Sequence, residues 1–486
     1  MRTGMGKPTP VKTNGKADHR SKGQNCMSVR DPSAQVAAMA EDWALVDALM
    51  GGTRAMRRAG PRYLPKWPNE DQASYKERLA TATLFPAYAR TAVVMTGKPF
   101  SKPITIGKDV PAQIVPWLDN VDLQGRNLHT FASGVCLAAL SYGMCGILVD
   151  CPKNEGAKTV ADEKQAGIRP YFVEVSAKNI LGWKVEIQGG AKVLTQLRLL
   201  ETIEIDDGDF ATKTIEQVRV LTPGAWSVWR KQRNATSGAD DWVEAESGLT
   251  TLRKIPFVPI YGARKDFMVG VPPMIELGYA NVEHWQSKSD QQTILHVARV
   301  PLLFARGLAG TEITVGANSF VSTGSDTAEL MYVEHSGKAI EAGRMSLLDL
   351  EDRMRQIGAE LLVIKPGNTT EVQTIADNEQ TMCDLQRLTQ AVEGAIDEAL
   401  CLMAEWIGLP DGGKVSIYRD FGAATLAEAS AELLFEMSSV GKLSHETLLG
   451  ELKRRGILEP DLDIKAEIVR ALAEAPKVTV AEDVKP

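Results

Sequence analysis

The chain has 486 residues, of which 44% are hydrophobic, 24% charged and 6% aromatic. This is the composition of a globular protein with room for several packed units, and it excludes wholesale disorder. The formal net charge of −7, from 55 basic and 62 acidic residues, argues against a protein that grips nucleic acid through a basic surface, but not against one that lets it pass.

Residues 1–30 are polar, carry seven Lys/Arg against one Asp, and show no apolar periodicity. They read either as a disordered tail or as an arm that touches DNA or a capsid partner. No signal-peptide apolar core precedes the rest, and runs such as Val135 to Leu140 are too short to span a bilayer. The expectation is a cytoplasmic protein without a membrane partner.

Asp31-Pro32 reads as a helix start, with Gly51-Gly52 as its stop. Pro61 to Pro68 forms a stiff loop. Asn69 then caps a helix with Tyr75, Leu79 and Ala82 at helical spacing. A further helix follows Phe85-Pro86 and ends at Gly97. Asn127 to Tyr142 is a clear helix, with Leu128, Phe131, Val135 and Leu140 facing inward.

From Gly146 the period changes to that of strands. Ile147 to Val149, Tyr171 to Val175, Trp183 to Ile187, Leu197 to Ile205, Gln217 to Leu221, Ala225 to Trp229 and Pro256 to Tyr261 are β-like. Pro272-Pro273 marks a boundary, and a long helix runs from Met274 to about Arg299. Its middle, Gln286 to Gln292, is polar, as expected of a helix wetted on one side.

Residues 300–342 read as short strands with Gly-rich turns. Helix returns at Ser346, with Asp349 three residues on, and Leu347, Leu350, Met354, Ile357 and Leu361 form one stripe. Lys365 to Thr370 is a polar break. A very long helix follows, from about Asp377 to Trp406, with Leu385, Leu388, Val392, Ile396, Leu400 and Met403 as its stripe. Gly408 and Pro410 end it. Val415 to Tyr418 reads as a strand. The C-terminal region is helical, with starts at Thr425, Ser444 and Asp461 and stops at Gly441 and Gly456.

Signatures of chemistry are missing. Thr96-Gly97-Lys98-Pro99 lacks the upstream glycine of a phosphate-binding loop and has Pro where Ser/Thr is needed, and Gly156-Ala157-Lys158-Thr159 lacks the paired Gly-Lys. There is no G-x-S-x-G elbow, no H-E-x-x-H and no C-x-x-C, so no cofactor, metal site or catalytic residue is expected. The six cysteines read as free, mostly buried thiols, and the six histidines as surface or interface groups. Asp206-Asp207 reads as a turn and Glu351-Asp352 as a solvated helix surface. The chain is not expected to be an enzyme.

The element order, with its local sequence, resembles the portal (head–tail connector) proteins of tailed bacteriophages. Three blocks carry the resemblance. The first is Tyr63-Leu64-Pro65, Tyr75, Arg78-Leu79, Arg90-Thr91 and Gly97 to Phe100. The second is Gly270 to Met274, Asn281, His284-Trp285, Ser289-Asp290 and Val300-Pro301. The third is Gly441 to Leu449.

The resemblance implies an α+β portal-type fold. Its parts would be a wing over 31–271, a stem helix at 272–299, a clip at 300–343 and a returning stem helix at 344–363. A tunnel loop at 364–374, a long wing helix and strand at 375–422, and a helical crown at 423–486 would follow. It also implies a homo-oligomeric ring, usually of twelve subunits, at one vertex of a virion. Such a ring passes double-stranded DNA and meets the terminase large subunit, head–tail adaptors, and major capsid and scaffold proteins. Lys365, Asn368, Thr369 and Thr370 would then line the channel. The alternative is a structural virion protein without a DNA channel, such as an internal core or adaptor component.

Overall fold

A computed structural model describes residues 28–152, 167–233, 240–299, 302–306, 329–333, 337–359, 382–419, 434–454, 458 and 462–474. The fold mixes helices and antiparallel sheets in one chain, so the α+β expectation holds.

The first helices are α1 (Ala34–Met50), α2 (Gly52–Ala59), α3 (Gln72–Thr81) and α4 (Ala87–Gly97). Helix α1 starts two residues later than Asp31-Pro32 suggests. Ser33 is the cap, its hydroxyl accepting from the Val36 amide at 3.4 Å, while the Asp31 carboxylate accepts from the Ser28 amide instead. Helix α1 ends at Met50 as expected, with Gly51 as its C-cap, its amide donating to the Asp47 carbonyl at 2.9 Å. Gly52 takes φ +68°, and α2 continues beyond. Asp71, not Asn69, caps α3, accepting from the Ala73 and Ser74 amides at 2.8 and 3.0 Å.

Helix α5 (Leu128–Tyr142) is capped by Asn127, as its sequence indicates, and ends at Gly143 in the left-handed region. Its four expected inward residues are all buried. It leads into β2 (Met144–Asp150), which pairs antiparallel with both β3 (Tyr171–Ser176) and β9 (Phe257–Tyr261). This three-stranded sheet is the middle layer. Cys145, Ile147 and Val149 point to the helices on one face; Met144 and Leu148 point to α1 and the second sheet on the other. Both faces are covered, which is why β2 is apolar at nearly every position.

The second sheet is a five-stranded meander: β4 (Ile180–Gln188), β5 (Ala191–Asp206), β6 (Thr212–Thr222), β7 (Ala225–Arg233) and β8 (Asp240–Leu249). Leu197, Leu199 and Leu221 of its inner face pack on Val36, Met39 and Trp43 of α1. Asp206-Asp207 forms the β5–β6 turn, as expected, with the Asp207 amide donating to the Ala211 carbonyl at 2.7 Å. Strand β8 has no clear signal in Asp240 to Leu249; pairing with β7 imposes it. On the outer face Arg198 donates from Nη1 to the carbonyls of Val29 at 2.7 Å and Asp31 at 3.0 Å, pinning the residues that precede α1. A short hairpin, β10 (Ala263–Asp266) and β11 (Val269–Val271), then leads to the Pro272-Pro273 boundary.

Helix α6 (Ile275–Ala298) follows, then strands β12 (Leu302–Arg306) and β13 (Glu329–Val333), helix α7 (Lys338–Ala359) and helix α8 (Asp384–Trp406). Helix α8 buries all six residues of its expected stripe in the main core, beside α5, β2 and β9. Beyond it β14 (Val415–Ser416) pairs with β1 (Thr105–Ile106), a shorter strand than the sequence suggests. Helices at 434–439, His445–Arg454 and Ile464–Glu474 complete the described chain. Ser444 caps the second of these as expected. Asp463 serves the third, accepting from the Lys465 and Ala466 amides at 3.0 and 3.2 Å; the expected start at Asp461 lies outside the described residues.

Candidate functional site

The segment that the sequence marks as mechanistically distinctive is the helix–hairpin–helix insertion. Helix α6 spans 24 residues, about 36 Å at the usual helical rise. Strands β12 and β13 pair antiparallel, Leu302 opposite Val333 through to Arg306 opposite Glu329. Phe304 and Met331 face each other across the hairpin and are exposed.

Helix α7 begins at Lys338, eight residues before the Ser346 start that the capping-box match suggests; Ser346 lies inside the helix. Gly343, also inside the helix, has a packing role. A Cβ there would sit 2.1 Å from Oε1 of Gln291, whose Nε2 donates to the Ile340 carbonyl at 2.9 Å. The glycine lets α7 lie close on α6. Leu350 and Met354 of the expected stripe are buried, with Leu347 and Ile357 half-buried.

The polar middle of α6 is not the wetted face that its composition suggests. Asn281, His284, Ser289 and Gln291 are buried. Asn281 accepts the Tyr88 amide at 3.0 Å and donates to the Phe85 carbonyl at 2.8 Å, holding the start of α4. Gln286 donates to the Tyr63 carbonyl at 3.0 Å. His284, expected at the surface or an interface, is buried within the subunit, with its ring 5.2 Å from that of Phe85 and its Nε2 3.2 Å from Oε1 of Glu351 on α7. Glu351 is thus a partner of a buried group and not a solvated surface acid. The solvent-facing stripe of α6 is Glu276, Tyr279, Glu283, Asp290 and Ile294, with three carboxylates and no Lys or Arg.

Beside α6 lies an internal ion pair. Nε and Nη2 of Arg78 donate to the two oxygens of Glu70 at 2.7 and 2.8 Å, and Nη2 also donates to the Pro65 carbonyl at 2.8 Å. The guanidinium lies 4.1 Å from the Trp67 ring centre. It holds the Glu70 carboxyl below the usual carboxylate range.

A cavity of about 630 Å³ lies between the two sheets, lined in part by Asp150, Tyr171, Arg219, Trp226, Arg230 and Glu246. Its charges pair with one another: Arg219 with Asp150 at 2.5 Å and Glu201 at 2.7 Å, Arg230 with Glu246 at 2.8 Å. Among the described residues no cluster of His, Cys, Asp or Glu has metal-binding geometry, and no helix is long and apolar enough to cross a membrane. Burial pushes the Cys136 thiol up to about 12 and raises that of Cys145 as well.

The four residues expected to line a channel, Lys365, Asn368, Thr369 and Thr370, lie outside the described residues, as does most of 1–30. What the structure brings together is α6 and α7, the helical pair that flanks the hairpin. Sequence reasoning missed the Asn281, His284–Glu351 and Arg78–Glu70 contacts, because each joins positions that no periodicity links.

Residues 273–407, which hold α6, the hairpin, α7 and α8, match a family described as a domain of unknown function, DUF4055. No curated protein matches the sequence. Similar solved structures include a chain from the neck of an empty gene transfer agent particle computed with C6 symmetry. Its identity is 12% and its TM-score 0.41, with 76% of this chain and 90% of that chain covered. A chain from the virion of a native gene transfer agent particle gives 11%, 0.39, 82% and 97%. One from the neck of the native particle computed with C12 symmetry gives 11%, 0.39, 75% and 89%. With TM-scores below 0.5, these likenesses carry no weight in the functional argument.

Proposed function

We propose that the chain is the subunit of a portal ring, a conduit for double-stranded DNA at one vertex of a tailed-phage capsid. The observation that carries this reading is the paired α6 and α7 with a two-stranded hairpin between them, rooted in the body by buried polar contacts. A ring needs a head-to-tail interface that closes, and a stiff helical pair can be repeated around an axis without deforming.

The charge pattern supports the same reading. Affinity for DNA comes largely from phosphate neutralisation and counterion release. A wall carrying Glu276, Glu283 and Asp290 in every subunit would leave passing DNA hydrated and mobile. The polar loop would supply the contacts, through Lys365 and the uncharged Asn368, Thr369 and Thr370. In this role the chain binds and conducts rather than catalyses. The terminase large subunit, head–tail adaptor, and major capsid and scaffold proteins would be its partners, and the virion its destination.

Native mass spectrometry of the purified protein, with scaffold or capsid protein added, should find a closed ring. Twelve copies of 52.9 kDa give about 635 kDa. Negative stain should show an axial hole. Monomers and dimers alone at micromolar concentration would overturn the proposal. A closed oligomer without a hole would make the chain a virion component of another kind.

Lys365→Glu tests the loop. One repelling carboxylate per subunit should shorten the packaged genome or weaken its retention. Ring formation should persist, because an exposed loop charge usually changes stability by only about 0.5 kcal/mol. Wild-type genome length and retention in the variant would remove Lys365 from the mechanism.

A further inference from the structure

His284 sits where three segments meet: α6, α7 and the turn before α4. Its side chain is 1% exposed. On one side Nε2 faces Oε1 of Glu351 at 3.2 Å; on the other the ring lies against Phe85. Nδ1 is buried with no hydrogen-bond partner among the described residues. The charged groups facing the ring are Glu351 from α7 and Lys288 from α6, and the pre-α4 turn contributes the Phe85 ring. Glu351 itself is shared with Arg355, whose Nη2 lies 3.6 Å from Oε2.

This geometry selects one protonation state. A neutral ring carrying its proton on Nε2 donates to the Glu351 carboxylate and leaves only a lone pair at Nδ1. The opposite tautomer would turn a lone pair towards a carboxylate. The doubly protonated ring would keep the Glu351 contact but place an N–H at Nδ1 where the described residues offer no acceptor. A buried donor without an acceptor carries a full desolvation cost. The ring would have to turn or move out to satisfy it, and in moving it would lose Phe85, Glu351 or both.

We infer that His284 is a proton-operated latch: neutral, it clasps α7 and the α4 turn onto α6; protonated, it loosens that junction. The inference is independent of the portal reading. It concerns how firmly the helical pair is held to the body, whatever the pair does.

The direction of the pH effect follows. Burial lowers the His284 pKa in the fold below its ordinary value, with Glu351 opposing. A base whose folded pKa is depressed contributes stability that is present above its unfolded pKa, about 6.5, and is lost as pH falls below it.

Hydrogen exchange of the full chain, corrected for the intrinsic pH dependence of exchange, reads this directly. Peptides covering 281–291 and 347–357 should open up to about tenfold more per pH unit as pH falls from about 6.5 towards the folded pKa. His284→Gln keeps an N–H for Glu351 and cannot titrate, so its exchange in these peptides should not change with pH. Glu351→Gln removes the counter-charge and should extend the rise to lower pH; it also serves if the first variant fails to fold. A wild-type junction that does not respond between pH 7.5 and 5.5 would overturn the latch, and so would a response that survives His284→Gln.

Discussion

Arg78→Ala is expected to destabilise the protein by about 3–5 kcal/mol. The guanidinium and its partner are almost fully enclosed: the side chains of Arg78 and Glu70 are 5% and 3% exposed. Removing the arginine strands a buried carboxylate and frees the Pro65 carbonyl, the Trp67 ring and the Tyr75 ring together. Arg78→Lys should recover only part of the loss, because an ammonium cannot reproduce the two-pronged contact with Glu70. Arg78→Met combined with Glu70→Leu should recover much more, since no charge is then left unpaired. Urea unfolding of the wild type and the three variants gives the comparison. Equal losses in the single and double variants would mean that the pair is not what holds this corner.

The pair also sets a pH response. Glu70 is held ionised below the usual range, so its contribution is present above its unfolded pKa and fades as pH falls through the folded one. This occurs below the ordinary carboxylate range, whereas the His284 loss begins as pH falls below about 6.5.

Trp285→Ala should cost about 3–5 kcal/mol as well. Trp285 is 0% exposed and heads the fully buried large side chains. Truncation would leave a cavity in the core that α1, α4 and α8 share with α6. Trp285→Phe makes the useful contrast. The indole Nε1 is buried with no acceptor among the described residues, so phenylalanine deletes an unsatisfied donor while keeping most of the volume. Its loss should be a small fraction of the alanine loss, measured by the same unfolding titration. A large loss in Trp285→Phe would show that the N–H is satisfied after all.

These residues bear on what the sequence reveals. Helices α5 and α8 are legible because their apolar periodicity is long, and α5, α6 and α8 have ends marked by Asn127, by Pro272-Pro273 and by Gly408. Strand β8 and the first turns of α7 are not, because neither carries its own signal. Asp240 to Leu249 becomes a strand by pairing with β7, and Lys338 to Gly343 stays helical because α6 accepts a close neighbour there. The polar block of α6 misleads for a related reason. A run of Gln, Ser and Asp reads as solvated, yet Ser289 and Gln291 are enclosed by other segments. Several positions that carry the portal resemblance, Tyr75, Arg78, Asn281, His284 and Trp285, turn out to be buried. The resemblance therefore rests partly on how this core is assembled. The loop proposed to touch DNA rests on sequence alone.

The position of α8 has a consequence for synthesis on the ribosome. Its buried stripe completes a core begun by α1, α4 and α5, yet about 240 residues separate α5 from α8. At roughly 5–20 residues per second, the earlier helices and β2 must wait on the order of ten to fifty seconds for the element that covers them. During that interval residues such as Val135, Cys136 and Val149 lack their permanent neighbours. A nascent chain halted near residue 350 should therefore be sensitive to protease across α5 and bind chaperones, whereas one halted beyond Ser416, with β14 available to pair with β1, should resist both.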